Sequence, residues 1–368
     1  MKQIIRDAAL RLGFDLCAFA PVVVPPPHAA FVQQWLADGN AAGMPYIQRH
    51  IKRRLDPQRV LYHARTIISV ASRYRPPPLP PIDWQAQLRG RVAAYALGAD
   101  YHLTMGARLG ELARTVEDIG GGRTRVYVDT GAILEREWAA AGGLGWFGKN
   151  TNILHTGEGS WFLLGEVLTT LELDPDAPWP DHCGTCTRCL DLCPTGALSP
   201  GYRLDARRCI SYWTIEHRGS IPREMRPQLG NWVFGCDICQ EVCPWNEKLA
   251  RRESTPEADQ LVPYLPDLLQ LDEAGFAARY QTSALFRTRR EGLARNAAVV
   301  LGNTRNPAAV AHLAQALRAE PSPVVRAHVA WALGQIGDAA ARRALDLARA
   351  HAQGEVAREI DAALSGAA

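Results

Sequence analysis

The sequence predicts an α+β fold for its first half, followed by a cysteine-rich segment and an all-helical repeat. Three observations carry this. Short apolar runs of strand length alternate with helical patterns up to about residue 175. Eight of the nine cysteines fall between Cys183 and Cys243. From about residue 285 lysine and cysteine vanish, and an alanine- and arginine-rich pattern recurs every 31–32 residues. The chain has 368 residues, of which 47% are hydrophobic and 21% charged, so it is long and apolar enough for more than one packed domain. We place an α+β domain at 1–175, a cysteine-rich domain at 176–250 and a helical-repeat domain at 280–368.

In order, Ile4, Ile5, Ala8, Ala9 and Leu12 recur at helical spacing and Gly13 stops the helix. A strand follows at Phe14–Ala20. Thr66–Ala71 and Arg125–Val128 read as short buried strands. Helical patterns cover Ala29–Ala37, Tyr101–Ile119 and Ala132–Ala141. The proline run at 75–81 is an extended loop, since proline lacks the amide donor and restricts its predecessor. Gly142–Asn150 holds four glycines in its first seven residues, which allows close backbone approach. Asp174–Pro180 is a proline-rich joint, and the charged stretch 247–259 reads as a surface connection. Arg295–Asn303, Arg326–Gln335 and a worn copy at Arg358–Ser365 align Leu301, Leu333 and Leu364. This spacing suits stacked helix pairs of the HEAT type, capped on the preceding domain.

Arg6, Asp7, Arg11 and Asp15 interrupt the N-terminal segment, so no signal-peptide core is present and a cytoplasmic protein is expected. No apolar stretch approaches the ~18–20 residues of a membrane helix. The net charge of +3 does not imply a polyanion partner, although residues 281–305 hold Arg287, Arg289, Arg290, Arg295 and Arg305 against Glu291 alone. No glycine fingerprint of a Rossmann nicotinamide site and no Walker A sequence occurs.

In a reducing compartment, clustered cysteines hold metal more often than they form disulfides. Cys183, Cys186, Cys189 and Cys193-Pro194 have the spacing of a bacterial ferredoxin, in which the cysteine before proline ligates the other cluster. The second run, Cys236, Cys239 and Cys243-Pro244, lacks a leading cysteine, which Cys209 can supply. The crossing rule then gives Cys183, Cys186, Cys189 and Cys243 to one 4Fe–4S cluster. It gives Cys193, Cys209, Cys236 and Cys239 to a second. The alternative is a pair of four-cysteine zinc sites. Cys17, alone on an apolar strand, reads as a small buried hydrophobe.

Several segments together resemble the epoxyqueuosine reductase family: Gly98–His102, Val128–Arg136, Ala141–Asn150, Cys183–Ala197, Arg208–Ser211, Gly235–Asn246 and Arg295–Ala297. The resemblance covers essentially the whole chain. It implies two-electron reductive deoxygenation of the epoxide of epoxyqueuosine at the tRNA wobble position to queuosine, with cobalamin and two 4Fe–4S clusters. It further implies a nitroreductase-like corrinoid domain, similar to that of reductive dehalogenases, a ferredoxin-like cluster domain and HEAT-like repeats that help hold the anticodon stem-loop. Asp129 matches the family's proton donor; an aspartic acid needs a raised pKa for that role, which burial against an apolar corrin face would provide. The bland alternative is that Asp129 caps a helix starting near Gly131.

The resemblance also places Arg54, the backbone of Ile153, Leu154 and His155, and Leu164 near the corrinoid. Ser211 and Asp237, beside cluster cysteines, face the cofactor. Ala93 stands where relatives carry a cysteine. Arg287, Arg289, Arg290 and Arg295 are candidates for tRNA phosphates; the alternative is a solvated helix face. Trp213, Trp232 and Trp245 are either base-stacking platforms or core. The expected partners are the anticodon stem-loop of tRNA and an unidentified reductant protein; no membrane partner is expected and the chain is read as a monomer. Two rival readings are a reductive dehalogenase acting on a small halo-organic and a pure electron-transfer module that binds no corrinoid.

Overall fold

The computed structural model describes residues 1–79, 81–249 and 256–366. The chain forms two compact units from interleaved stretches. Met1–Pro76, Ala99–Arg207 and Asp237–Arg252 make the first, and Pro77–Gly98, Arg208–Cys236 and Glu253–Ala368 the second. The cysteine-rich segment is therefore divided: Cys209 and Cys236 belong to the second unit and the other six to the first. Residues 250–255 of the expected connection at 247–259, and Pro80 of the proline run, lie outside the described residues.

The first unit is built on a four-stranded antiparallel sheet. Its strands are β1 (Leu16–Pro21), β2 (Thr66–Arg73), β3 (Thr124–Tyr127) and β4 (Phe162–Thr169), in the order β1-β2-β4-β3. Strand side chains alternate between faces. Ile68, Val70 and Val167 face helices α1 (Lys2–Arg11) and α2 (Tyr101–Gly120), packing on Ile5, Met105, Leu109 and Leu112. Ile67 and Leu168 face the other way, onto Leu61 and Trp138 of α3 (Glu135–Ala141). Met105, Leu109 and Leu112 are fully buried, each worth ~1.5–3 kcal/mol of apolar transfer. A Cβ on Gly165 would come within 2.8 Å of Leu109 Cδ1, so this inner strand needs glycine where α2 lies against it.

In the second unit Arg91–Val92 pairs in parallel with β5 (Trp232–Phe234). The helices α4 (Arg289–Thr304), α5 (Val310–Ala319), α6 (Pro323–Ile336), α7 (Ala339–Arg349) and α8 (Gly354–Leu364) follow. The three repeat copies fall on α4, α6 and α8, which pack in succession, while α5 and α7 pack on one another beside them. Leu301 and Leu333 are buried, and Leu364 of the worn copy is half-buried. A Cβ on Gly302 would lie 2.8 Å from Ala332 Cα, so glycine is what lets α4 and α6 approach so closely. No described helix is long and apolar enough to cross a membrane.

Candidate active site and cluster cavity

Asp129 lies two residues beyond β3, on the loop leading to α3. Helix α3 starts at Glu135 with Leu134 in the cap position, so Asp129 is not its cap. Its backbone is left-handed, with φ 53°, a region few non-glycine residues adopt. Its amide donates to Glu135 Oε1. Its side chain is 48% exposed, so the chain's own atoms do not supply the apolar burial expected for a raised pKa. Instead Asp129 Oδ2 lies 3.3 Å from His102 Nε2. His102 Nδ1 lies 2.7 Å from Asp100 Oδ1, which also accepts the His102 amide as the N-cap of α2. The hydrogen bond to Asp129, then the one to Asp100, raises the His102 pKa above the ordinary histidine value. A carboxyl group at a strand end is thus backed by a histidine held in one orientation by a second carboxylate. Asp100 and His102 stood in the sequence only as part of Gly98–His102; an Asp at a helix start two residues before a His was the available signal.

Arg54 donates from Nη1 to the Ile133 carbonyl at 2.7 Å. Its Nε is buried and has no partner among the described residues. A guanidinium with an unused N–H suits a ligand's amide or phosphate oxygen. Ile153 and Leu154 pair with Phe147 and Trp146 in a two-stranded ribbon. Both side chains are buried, so what this stretch offers a cofactor is its backbone. His155 accepts the Gly157 amide on Nδ1, and burial lowers its pKa, so it is neutral at pH 7. Leu164, half-buried, pairs with Ala71 across the sheet. In the first unit Asp237 is buried, its Oδ1 accepting from Gln240 Nε2 at 3.4 Å; in the second, Ser211 is half-buried at the start of a turn over Tyr212–Glu216. Ala93 is fully buried.

Cys183, Cys186, Cys189 and Cys243 line one cavity of about 230 Å³, with Lys149, Asn150, Leu154, His182, Trp245 and Lys248. Lys149 Nζ donates to the carbonyls of Gly184 and Cys186, at 2.6 and 3.0 Å, fixing the loop between the cysteines. Burial, and then the thiols of Cys243, Cys183 and Cys186, push the Cys189 thiol up to about 11. Burial likewise raises Cys183 and Cys243. Buried thiols such as these three resist ionising, whereas a metal centre requires thiolates and supplies the compensating charge. No three His, Cys, Asp or Glu side chains among the described residues converge on a single ion. Thiols arranged around a cavity rather than a point suit a multi-iron cluster better than tetrahedral zinc. None of the nine cysteines is in a disulfide. Burial raises the Cys17 pKa to about 12, as fits a thiol with a packing role.

The structure corrects the arginine set. Arg295 is 1% exposed. Its guanidinium donates to the carbonyls of Trp213, His217 and Gly219 and to Asn296 Oδ1. Arg290, 6% exposed, pairs with Glu320 at 2.7 Å. Neither presents its charge to a phosphate. Arg287 and Arg289 are exposed, and Arg287 is ion-paired with Glu216. Trp213 and Trp232 are core residues, while Trp245 lines the cysteine cavity beneath Lys248.

Comparison with known proteins now adds to this geometry. A family model for a 4Fe–4S double cluster binding domain matches residues 182–246. One for epoxyqueuosine reductase QueG (DUF1730) matches 54–130, and one for HEAT repeats matches 282–365. An epoxyqueuosine reductase of Xanthomonas campestris pv. campestris is 42% identical over 341 residues, 90% of this chain and 95% of that protein. An epoxyqueuosine reductase solved with a tRNA-TYR epoxyqueuosine-modified stem loop superposes with a TM-score of 0.91 at 30% identity, covering 100% of this chain and 98% of the other. The Bacillus subtilis enzyme, solved with its catalytic aspartate loop swung out of the active site, gives 0.91 at 29% identity, covering 99% and 98%. With this identity over nearly its full length, the chain belongs to the epoxyqueuosine reductase family.

Proposed function

We propose that the chain reduces the epoxide of epoxyqueuosine in a tRNA anticodon loop to the alkene of queuosine. The balance is epoxide plus two electrons and two protons to alkene plus water. The observation that carries the reading is the Asp100–His102–Asp129 array, a proton-handling group on an exposed loop in a chain that also carries a double-cluster domain. Cys183, Cys186, Cys189 and Cys243 would hold one 4Fe–4S cluster, and Cys193, Cys209, Cys236 and Cys239 the other. Cobalamin would lie along Arg54, the Ile153–His155 backbone and Leu164, with Ser211 and Asp237 facing it, and would supply a strongly reducing cobalt centre.

The Asp129 carboxyl gives its proton to the departing oxygen. The His102 Nε2–H, beside Asp129 Oδ2, returns a proton to the carboxylate, and Asp100 keeps the ring in the orientation for that transfer. Two protons are consumed per turnover and Asp129 holds one, so reloading is part of the cycle. Arg54 Nε offers the cofactor's polar rim a donor. Arg287 and Arg289, the exposed pair among the four candidate arginines, contribute charge for the stem-loop's phosphates. Electrons enter from a separate reductant protein.

The test is anaerobic single turnover on an anticodon stem-loop carrying epoxyqueuosine, with the nucleoside read by mass spectrometry. The cluster- and cobalamin-loaded protein is expected to remove one oxygen. Asp129→Asn is expected to be slower by on the order of 10²-fold or more, with iron content, cobalamin uptake and melting retained. No deoxygenation by the fully loaded wild type refutes the reading. Near wild-type turnover in Asp129→Asn removes the donor role alone.

A further inference from the structure

Glu166 lies in the middle of β4, an inner strand of the sheet, opposite Ser69 of β2 and Tyr127 of β3. It is 0% exposed. Neither carboxyl oxygen has a hydrogen-bond donor among the described residues, and the Ser69 hydroxyl has no partner either. A bare carboxylate there would cost several kcal/mol of lost solvation. Its carboxyl lies within hydrogen-bonding reach of another carboxyl, that of half-buried Glu135 at the start of α3. Two carboxylates in contact, one of them fully buried, resist being ionised together. The hydrogen bond open to this pair is the one made by a proton lying between them. Glu135 is also the acceptor that receives the Asp129 amide.

We propose that Glu135 and Glu166 share one proton and that this pair is the positioning device for Asp129. Glu166 carries the proton and donates it to Glu135. Glu135, fixed from behind, accepts the Asp129 N–H and holds that residue in its left-handed conformation, with its carboxyl against His102 Nε2. The inference rests on Asp129 being the proton donor and adds the element that keeps the donor in place.

Burial, and then the negative charges of their neighbours, raise the pKa values of Glu135 and Glu166 above the ordinary carboxyl value. The charged groups facing the pair are Asp129, which reinforces the rise, and Arg136 and Arg54, whose guanidinium charges oppose it. His102 faces Asp129 from α2. Removing the shared proton at alkaline pH leaves two anions in contact. Glu135 is then driven from Glu166, and the Asp129 amide loses its fixed acceptor.

The first measurement is infrared spectroscopy of the purified protein at neutral pH, in light and heavy water. The wild type is expected to show the C=O stretch of a buried protonated carboxyl group, shifted by deuterium and missing in Glu166→Gln. The second is kcat on the epoxyqueuosine stem-loop against pH. The His102 titration is common to wild type and variant, so it cancels in their ratio. The amide introduced by Glu166→Gln donates permanently to Glu135, so the variant-to-wild-type ratio is expected to climb with pH, approaching tenfold per unit. Glu135→Ala is expected to lower kcat at least tenfold at little changed KM, with partial rescue in Glu135→Gln. If Glu166→Gln does not fold, Glu135→Gln serves in both measurements, since its amide satisfies both neighbours without titrating. Absence of the protonated-carboxyl band, or a flat ratio, overturns the proposal. Loss of the donor role in Asp129→Asn with the band intact overturns the proposed function of Asp129 and leaves the shared proton standing.

Discussion

Replacing Arg295 with methionine separates a structural arginine from a phosphate-binding one. Methionine keeps the aliphatic stem and most of the volume. It removes donors at 3.1 and 2.7 Å from the His217 and Gly219 carbonyls and at 2.7 Å from the Trp213 carbonyl. It also leaves Asn296 Oδ1 without its two guanidinium bonds, while Asn296 Nδ2 still holds the Thr214 and Val233 carbonyls. Each buried acceptor left unpaired costs ~1–3 kcal/mol. Removing a desolvated charge returns part of that. The net expectation is a loss of about 3–5 kcal/mol, or a fall of roughly 6–20 °C in the unfolding of the second unit. Arg295→Lys keeps the charge but not the fork, and is expected to fall between the two. The assay is thermal unfolding by circular dichroism, with stem-loop affinity measured against salt well below the transition. The log–log salt slope is expected to stay at the wild-type value. Unchanged melting together with a slope flatter by about one unit would refute the reasoning and return Arg295 to the phosphates.

Three further outcomes are expected. Cys243→Ala should lower iron from about eight to about four atoms per chain, because Cys243 lines the same cavity as Cys183, Cys186 and Cys189; metal analysis of anaerobically prepared protein reads this. Arg287→Gln with Arg289→Gln should flatten the salt dependence of stem-loop binding by up to about two units, with little change in melting, since both side chains are exposed. Glu166→Gln should alter the pH dependence of stability. The folded pair binds a proton that the unfolded chain releases above the ordinary carboxyl pKa, so wild-type stability is fully present below about pH 4 and is lost as pH rises toward the raised values. The variant lacks that loss and should gain on the wild type by up to about 1.4 kcal/mol per pH unit in that range, as pH-resolved melts would show.

Features set by local pattern were legible in the sequence. The helix of Tyr101–Gly120 and the strand of Thr66–Arg73 follow from apolar spacing, and the repeat copies lie on alternate helices as their common leucines imply. The inner strand β4 was not legible, because Gly165 and Glu166 break its apolar run and give it no alternation. The same Glu166, a carboxyl in the middle of a core strand, was the signal for the buried pair. Its partner Glu135 stands 31 residues away in sequence, and only the sheet brings the two together. Composition could not distinguish the arginines. Arg290 and Arg295 read like Arg287 and Arg289 until their acceptors, Glu320 and the Trp213–Gly219 carbonyls, are placed around them. The Asp129 carboxyl could be located from its motif, but the orientation of His102 by Asp100 depends on how α2 meets the loop after β3.

The interleaving of the two units bears on the order in which the protein matures. The chain crosses between them after residues 76, 98, 207, 236 and 252. The first unit lacks a segment until residues 237–252 have been synthesised, and that segment carries Cys239 and Cys243. The second lacks its helical stack until residues 289–364 have been synthesised. Neither unit can complete its core as an early, independent product of the ribosome, in contrast to domains that fold as units in N- to C-terminal order. Metal loading must then follow the synthesis of residues 237–252, which supply Cys239 and Cys243. Truncation before α4 would not yield a smaller working redox module, because it would strip the second unit of its core while leaving its first two segments behind.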